Sequence, residues 1–195
     1  MKTRPILLRG HPPNSSKFIN TALSRVARLD GRIIHLSFKP ALTADRRHLY
    51  SNRPLGQPVF AGSFIRKREI ILDQELAHQP REFARILIHE LFHFTWVRLG
   101  NPARRSYEDL LRLERRQRAR GELGWSAELR KNKLAKTPGP HDALWREYLS
   151  ESFCDTAAWL YAGYRRHPEY TLAARHRNRR AEWFQAIFRE RVIPI

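Results

Sequence analysis

From Arg81 to Leu99 the chain is apolar at nearly every second or third position until Gly100 closes the run, and Gln79-Pro80 sets a proline where a helix can begin. This spacing predicts the most clearly marked helix of the molecule. Upstream, Pro12-Pro13-Asn14-Ser15-Ser16 reads as an extended arm ending in an N-cap. Phe18, Ile19, Leu23, Val26 and Ala27 then recur at helical spacing, so a first helix is expected from about Ser16 to Leu29. Asp30-Gly31 is a turn, and Ile33 to Phe38 is a β-rich run stopped by Pro40, which predicts a first strand. The polar stretch Thr43 to Pro58 reads as a loop, followed by two strands, Val59 to Phe64 and Glu69 to Asp73, joined as a hairpin by Arg66-Lys67-Arg68. Between Asn101 and Gly139 eleven Lys and Arg stand against five acids, a charged helical insertion followed by a loop. Pro140-His141-Asp142 opens another helix, apolar through Leu144, Trp145, Leu149, Phe153, Ala157 and Trp159 and ending near Gly163. A last amphipathic helix is expected from about Thr171 to Val192, with Trp183, Phe184, Ile187 and Phe188 on one side.

Composition narrows the class. With 195 residues, 42% of them hydrophobic and 11% aromatic, the chain has the size and apolar content of one packed domain spanning 1–195, and too many large side chains for a disordered basic tail. Thirty-seven Lys and Arg against nineteen Asp and Glu give a net charge of +18, which makes contact with polyanions an expectation. Cys154 is the only cysteine, so intrachain disulfides and cysteine-based zinc fingers are excluded. Neither a secretory h-region nor a run long enough to span a membrane is present, so the expected location is cytoplasmic.

Chemistry concentrates in the best helix, where Ile88-His89-Glu90-Leu91-Phe92-His93-Phe94 contains His-Glu-x-x-His. At 3.6 residues per turn His89 and His93 lie one turn apart on one face, where both imidazoles can hold one metal ion, while Glu90 is offset by about 100° and is free to act on a water. Composition alone gives an expectation of about 0.03 such matches in a chain like this. Two His and a Glu in an apolar helix are costly to bury unless something satisfies them, and a dication does so directly. The helix after Pro140 carries Glu147, Glu151 and Asp155 at i, i+4 and i+8, a repulsive stripe unless a cation lies opposite. Arginines could also pair with it as ordinary surface ion pairs. On the metal reading Glu151 is the third ligand, and Asp155 fixes the tautomer of a ligand His from behind.

His89-Glu90-x-x-His93 followed by Glu151-Ser152-Phe153-Cys154-Asp155 resembles the gluzincin branch of zinc metallopeptidases, the thermolysin-like group. The resemblance covers roughly Val59 to Gly163. It implies an α+β, zincin-like fold: a small three- to four-stranded sheet, an active-site helix, a second ligand-bearing helix, a basic helical insertion at about 101–139, and a C-terminal helix. By the same resemblance His89, His93 and Glu151 would hold one Zn2+ per chain, with Glu90 as catalytic base and Asp155 behind the ligands. Ala61, Gly62 and Ser63 would form the edge strand that aligns a protein or peptide substrate, Gly62 leaving room for the peptide's approach. The proton donor has no motif; Tyr148, on the face of Glu151 and Asp155, is the guess. Leu99 stands where a metzincin needs His, which excludes that branch. SprT-like DNA-associated proteases, also small and basic, take a third His, and His141 is the one well placed for it.

Arginine runs at Arg104-Arg105, Arg115 to Arg120 and Arg175 to Arg180 suit bidentate phosphate binding, since Arg outnumbers Lys thirty to seven. Without a base-reading motif they support only non-specific, salt-sensitive nucleic-acid contact. Two functions therefore stand side by side: a zinc metallopeptidase, and a basic nucleic-acid-binding protein whose metal site is structural or degenerate.

Overall fold

Residues 6–9, 15–46, 48–137, 142–188 and 192–195 are described by a computed structural model of the chain. In order they form β1 (Ile6–Arg9), α1 (Ser15–Leu23), β2 (Leu29–Asp30), β3 (Ile34–Lys39), β4 (Leu42–Asp45), β5 (His48–Ser51), β6 (Gln57–Pro58), β7 (Ala61–Phe64) and β8 (Glu69–Asp73). Then follow α2 (Pro80–Arg98), α3 (Asn101–Arg116), α4 (Trp125–Lys136), α5 (Asp142–Tyr161), α6 (Ala174–Phe188) and β9 (Ile193–Pro194). The class is mixed α+β, and no described helix is long and apolar enough to cross a membrane.

Alternation in β3 buries Ile34, Leu36 and Phe38 and leaves the residues between them at least partly exposed, the period of two that turns one face of a strand to the core. β3 is an inner strand of a four-stranded sheet ordered β1-β3-β8-β7, parallel at β1/β3 and β3/β8 and antiparallel at β8/β7. The expected hairpin is therefore present, and β7 is an edge. Helix α2 starts at Pro80, whose missing N–H costs nothing at that position. It buries Phe83, Leu87, Ile88, Leu91, Phe92 and Phe94 completely, too many for one stripe, because it lies between the sheet and α5. Phe92, Phe153, Phe184, Tyr107 and Trp183 then form one aromatic cluster, with ring centroids at 4.9 Å for Phe153–Phe184 and 4.8 Å for Tyr107–Trp183. Pairs of this kind add about 0.5–1.5 kcal/mol each beyond burial and fix α3 and α6 onto α5.

Several expectations are corrected. Helix α1 stops at Leu23 rather than near Leu29, because Leu29 and Asp30 pair in parallel with Ile193 and Pro194. The stretch 43–58 is not a plain loop but carries β4, β5 and β6, a small sheet ordered β5-β4-β6. Its strands have little intrinsic propensity and are held by tertiary anchors: Leu42 N donates to Asp73 Oδ2 at 2.7 Å and Ser51 Oγ to the Pro40 carbonyl at 2.7 Å. The insertion is two helices with an ordered connection between them. The C-terminal helix is shorter than expected, Ala174–Phe188.

Arg180, expected within a phosphate-facing arginine run, is fully buried. Its guanidinium forks onto Glu114 at 3.0 and 2.6 Å, reaches Glu122 Oε2 at 2.8 Å and donates to Ser152 Oγ at 2.8 Å. Lys131 Nζ and the Tyr148 hydroxyl complete the shell of Glu122, at 2.9 and 2.6 Å from Oε1. One buried charge thus ties α3, the 117–124 connection, α4, α5 and α6 together.

Candidate metal centre

Helix α2 presents His89, Glu90 and His93 toward α5 and the edge strand, and one donor atom from each lies within 4.8 Å of the others. The two imidazole rings are 5.0 Å apart and nearly perpendicular, at 79°. From α5, Asp155 and Glu151 are one turn apart and flank a single ring. Asp155 Oδ1 is 2.7 Å from His89 Nδ1, and Glu151 Oε2 is 3.3 Å from His89 Nε2. Ser150 Oγ stands 3.4 Å from His93 Nδ1. Of the three stacked acids, Glu147 points to solvent and takes no part.

Charge is unusual here for a chain of net +18. Three carboxylates face two imidazoles, and the nearest arginine to Glu151 is Arg130, 3.6 Å from its Oε1. Burial would push the Glu151 carboxyl up, but the His89 hydrogen bond, the charges of His93 and His89, and Arg130 bring it down to about 2. Burial alone would likewise discharge His89; Asp155 and Glu151 override it and raise its pKa well above the ordinary imidazole value. Carboxylates thus flank both nitrogens of the His89 ring. With Nδ1 committed to Asp155, Nε2 is the nitrogen left for a metal, and a donor set of imidazole nitrogens and carboxylate oxygens can hold a divalent metal ion. The residues present therefore fit such an ion.

Behind the donors the insertion closes on the site. Asp155 Oδ2 accepts the Ala127 N–H at 2.9 Å, at the first turn of α4, so one carboxylate orients both His89 and that helix. Gly124 makes this approach feasible, since a Cβ there would lie 2.3 Å from Asp155 Cγ. Glu90 is held from the other side: the Ser63 hydroxyl donates to Glu90 Oε2 and also lies 3.0 Å from the Glu90 carbonyl. Sequence reading assigned Ser63 to the substrate edge alone and missed this contact. Gly124 and Arg130 were missed as well, because nothing in the linear pattern places them beside α5, and Ser150, directly before Glu151 on α5, belongs to no motif.

Ala61, Gly62 and Ser63 do line a cleft of about 570 Å³ together with Glu90, His93 and Glu151. In the β7/β8 register, Asp73 N donates to the Phe60 carbonyl, so 60/73, 62/71 and 64/69 are the hydrogen-bonded pairs. The backbone groups of Ala61 and Ser63 consequently point away from β8, to the free edge. Gly62 has a different role from the one expected. Its absent side chain accommodates Leu49 of β5, whose Cδ2 would be 3.3 Å from a Cβ, rather than an incoming peptide. A second cleft of about 370 Å³ adjoins at His89 and Glu90, walled by Phe60, Ile86 and Trp125.

Tyr148 is corrected as proton donor. It is buried, its hydroxyl donates to Glu122, and burial with the Glu122 charge pushes its pKa well up. It lines neither of the clefts at His89. Cys154 is also buried, its thiol pushed up by burial, which makes it a core residue. Pro140 and His141, and with them the alternative third ligand, lie outside the described residues. Comparison with protein-family models, with curated proteins and with solved structures finds no match.

Proposed function

We propose that the protein is a zinc-dependent peptidase of zincin-like architecture, in which His89, His93 and Glu151 hold the ion and Glu90 is the base. The observation that carries this reading is His89 held between Asp155 on Nδ1 and Glu151 at Nε2, with His93 one turn on, beneath the free edge of β7. Zinc, when bound to three protein ligands, supplies Lewis-acid polarisation and lowers the pKa of a coordinated water from 15.7 to about 7. The chain's own residues supply the rest. An extended substrate adds to β7 through the outward N–H and C=O groups of Ala61 and Ser63, which sets its scissile carbonyl along the cleft over α2. Glu90, fixed by the Ser63 hydroxyl, takes the proton of the attacking water and passes it to the leaving amine. Asp155 keeps the proton of His89 on Nδ1 and so keeps Nε2 basic.

A second reading rests on the close grouping of His89, Glu90 and His93, which would make Glu90 a ligand and leave the site without a base. Glu90→Gln separates the two. Under the peptidase reading it retains about one zinc per chain while hydrolysis of a peptide library falls by about 10²–10⁴-fold, the usual contribution of general acid–base catalysis. Loss of zinc in the variant, or hydrolysis equal to that of the parent, overturns the assignment of Glu90 as base.

A further inference from the structure

The arginines of the insertion remain unexplained by the metal centre. Arg112, Arg115, Arg116, Arg118 and Arg120 are all exposed. Among the described residues only Arg112 of these five meets a carboxylate, Glu108 at 2.6 Å. They border two adjoining clefts of about 350 and 390 Å³, which share Arg115 and Trp145. Among the described residues one acid lines these clefts, Glu114, and it is consumed by Arg180. Lys131, also on the wall, is consumed by Glu122. The free charge of the surface is therefore arginine alone. Trp145 stands where the two clefts meet, its indole N–H donating to Glu108 at 2.8 Å and the Arg112 and Arg115 guanidinium carbons 5.2 and 6.0 Å from its ring centre.

Helix α4 separates this surface from the metal centre. Trp125, Ser126 and Arg130 face the site clefts, while Lys131, Leu134 and Ala135 face the arginine clefts, and the two sets share no lining residue.

We infer that the Arg112–Arg120 surface with Trp145 binds single-stranded nucleic acid. Guanidinium forks match phosphate oxygens bidentately, and the half-buried Trp145 ring, over which Arg112 and Arg115 lie, presents a stacking face to an unpaired base once phosphates draw those guanidinium groups away. A base in a duplex cannot reach such a ring without unstacking. The guanidinium groups grip the phosphates that DNA and RNA share, so strands of one length are expected to bind alike whichever sugar they carry. Acidic protein segments would satisfy the arginines but not the ring. This inference stands independently of the peptidase reading.

The test is fluorescence anisotropy of the full chain with a labelled oligothymidylate of about 15 nucleotides. Matched duplex DNA, oligouridylate and a poly-glutamate peptide serve as competitors. The expected result is that oligouridylate competes on a par with unlabelled oligothymidylate, and that both outcompete duplex and poly-glutamate. Arg115→Glu/Arg118→Glu/Arg120→Glu is expected to weaken binding by at least about tenfold and to reduce the log Kd against log salt slope by about 2, at roughly 0.7 per lost phosphate contact. Arg32→Glu/Arg66→Glu/Lys67→Glu, an equal charge change on exposed residues elsewhere, is expected to leave most of the affinity. Equal losses in the two triple variants, or a preference of the parent chain for duplex or poly-glutamate, overturn the inference. Should the first triple variant fail to fold, Arg115→Gln/Arg118→Gln and the competition on the unmodified chain decide the question alone.

Discussion

Gly124→Ala adds one methyl group behind the donors rather than among them, and its effect should appear at the metal. The new Cβ would sit 2.3 Å from Asp155 Cγ and 2.4 and 2.5 Å from its two oxygens, where ordinary contact begins at 3.4 Å. Asp155 must therefore retreat by about 1 Å, a demand of the kind that costs about 1–3 kcal/mol in a packed interior. Backbone strain does not enter, because Gly124 is extended, at φ 177°. The retreating carboxylate is the one that holds His89 Nδ1 at 2.7 Å and the Ala127 N–H at 2.9 Å. Loss of such an orienting partner typically weakens metal affinity by about 10–100-fold, or roughly 1.4–2.7 kcal/mol. Competition for zinc against a chromophoric chelator reads this directly, and far-UV circular dichroism shows that the fold is retained. Gly100→Ala is the control, since the nearest atom to its Cβ, Pro102 Cδ, is at an ordinary 3.7 Å. Zinc affinity unchanged within about twofold in Gly124→Ala would refute the claim that Asp155 orients a ligand.

Two further predictions concern the buried arginine. Arg180→Met strands Glu114 without its partner, leaves Glu122 to Lys131 and Tyr148 alone, and should cost about 3–5 kcal/mol. That is a fall in Tm of about 6–20 °C at roughly 2–4 °C per kcal/mol for a chain of this size, read by thermal melting. Burial would raise the Glu122 carboxyl, but Arg180 and Lys131, with hydrogen bonds from Arg180 and Tyr148, hold it below its ordinary value in the folded state. Its stabilisation is then fully present above the unfolded-state pKa of about 4.3 and is lost as pH falls through the lower folded-state value. Denaturant midpoints measured from about pH 7 down to pH 3 should therefore drop on the acid side, and Glu122→Gln should start lower and fall less.

Legibility in the sequence followed how local each signal was. Helix α2 was readable to within a residue at each end, because Pro80 and Gly100 bracket a run that is apolar at nearly every second or third position, and the β7/β8 hairpin followed from two short apolar runs around Arg66-Lys67-Arg68. His89 and His93 were legible because helical periodicity alone puts them on one face. Glu151 and Asp155 were legible as acids misplaced in a basic chain, and the structure brings both to the same imidazole. What required tertiary contact was not readable. Strands β4 to β6 depend on Asp73 and Pro40 for their anchors, and Leu29 was drawn out of a helix by a partner strand more than 160 residues away. Tyr148 shares a helical face with Asp155, yet it is captured by Glu122 from the insertion. Arg180 looks like any other surface arginine until α3 and the 117–124 connection close over it.

The most direct test is the metal content of the purified chain and its variants. Elemental analysis after exhaustive dialysis should give about one zinc per chain for the parent, none for His89→Ala or His93→Ala, and a weakened, partly occupied site for Glu151→Ala. A parent chain that binds no divalent metal, or one whose zinc survives both histidine substitutions, would contradict the account.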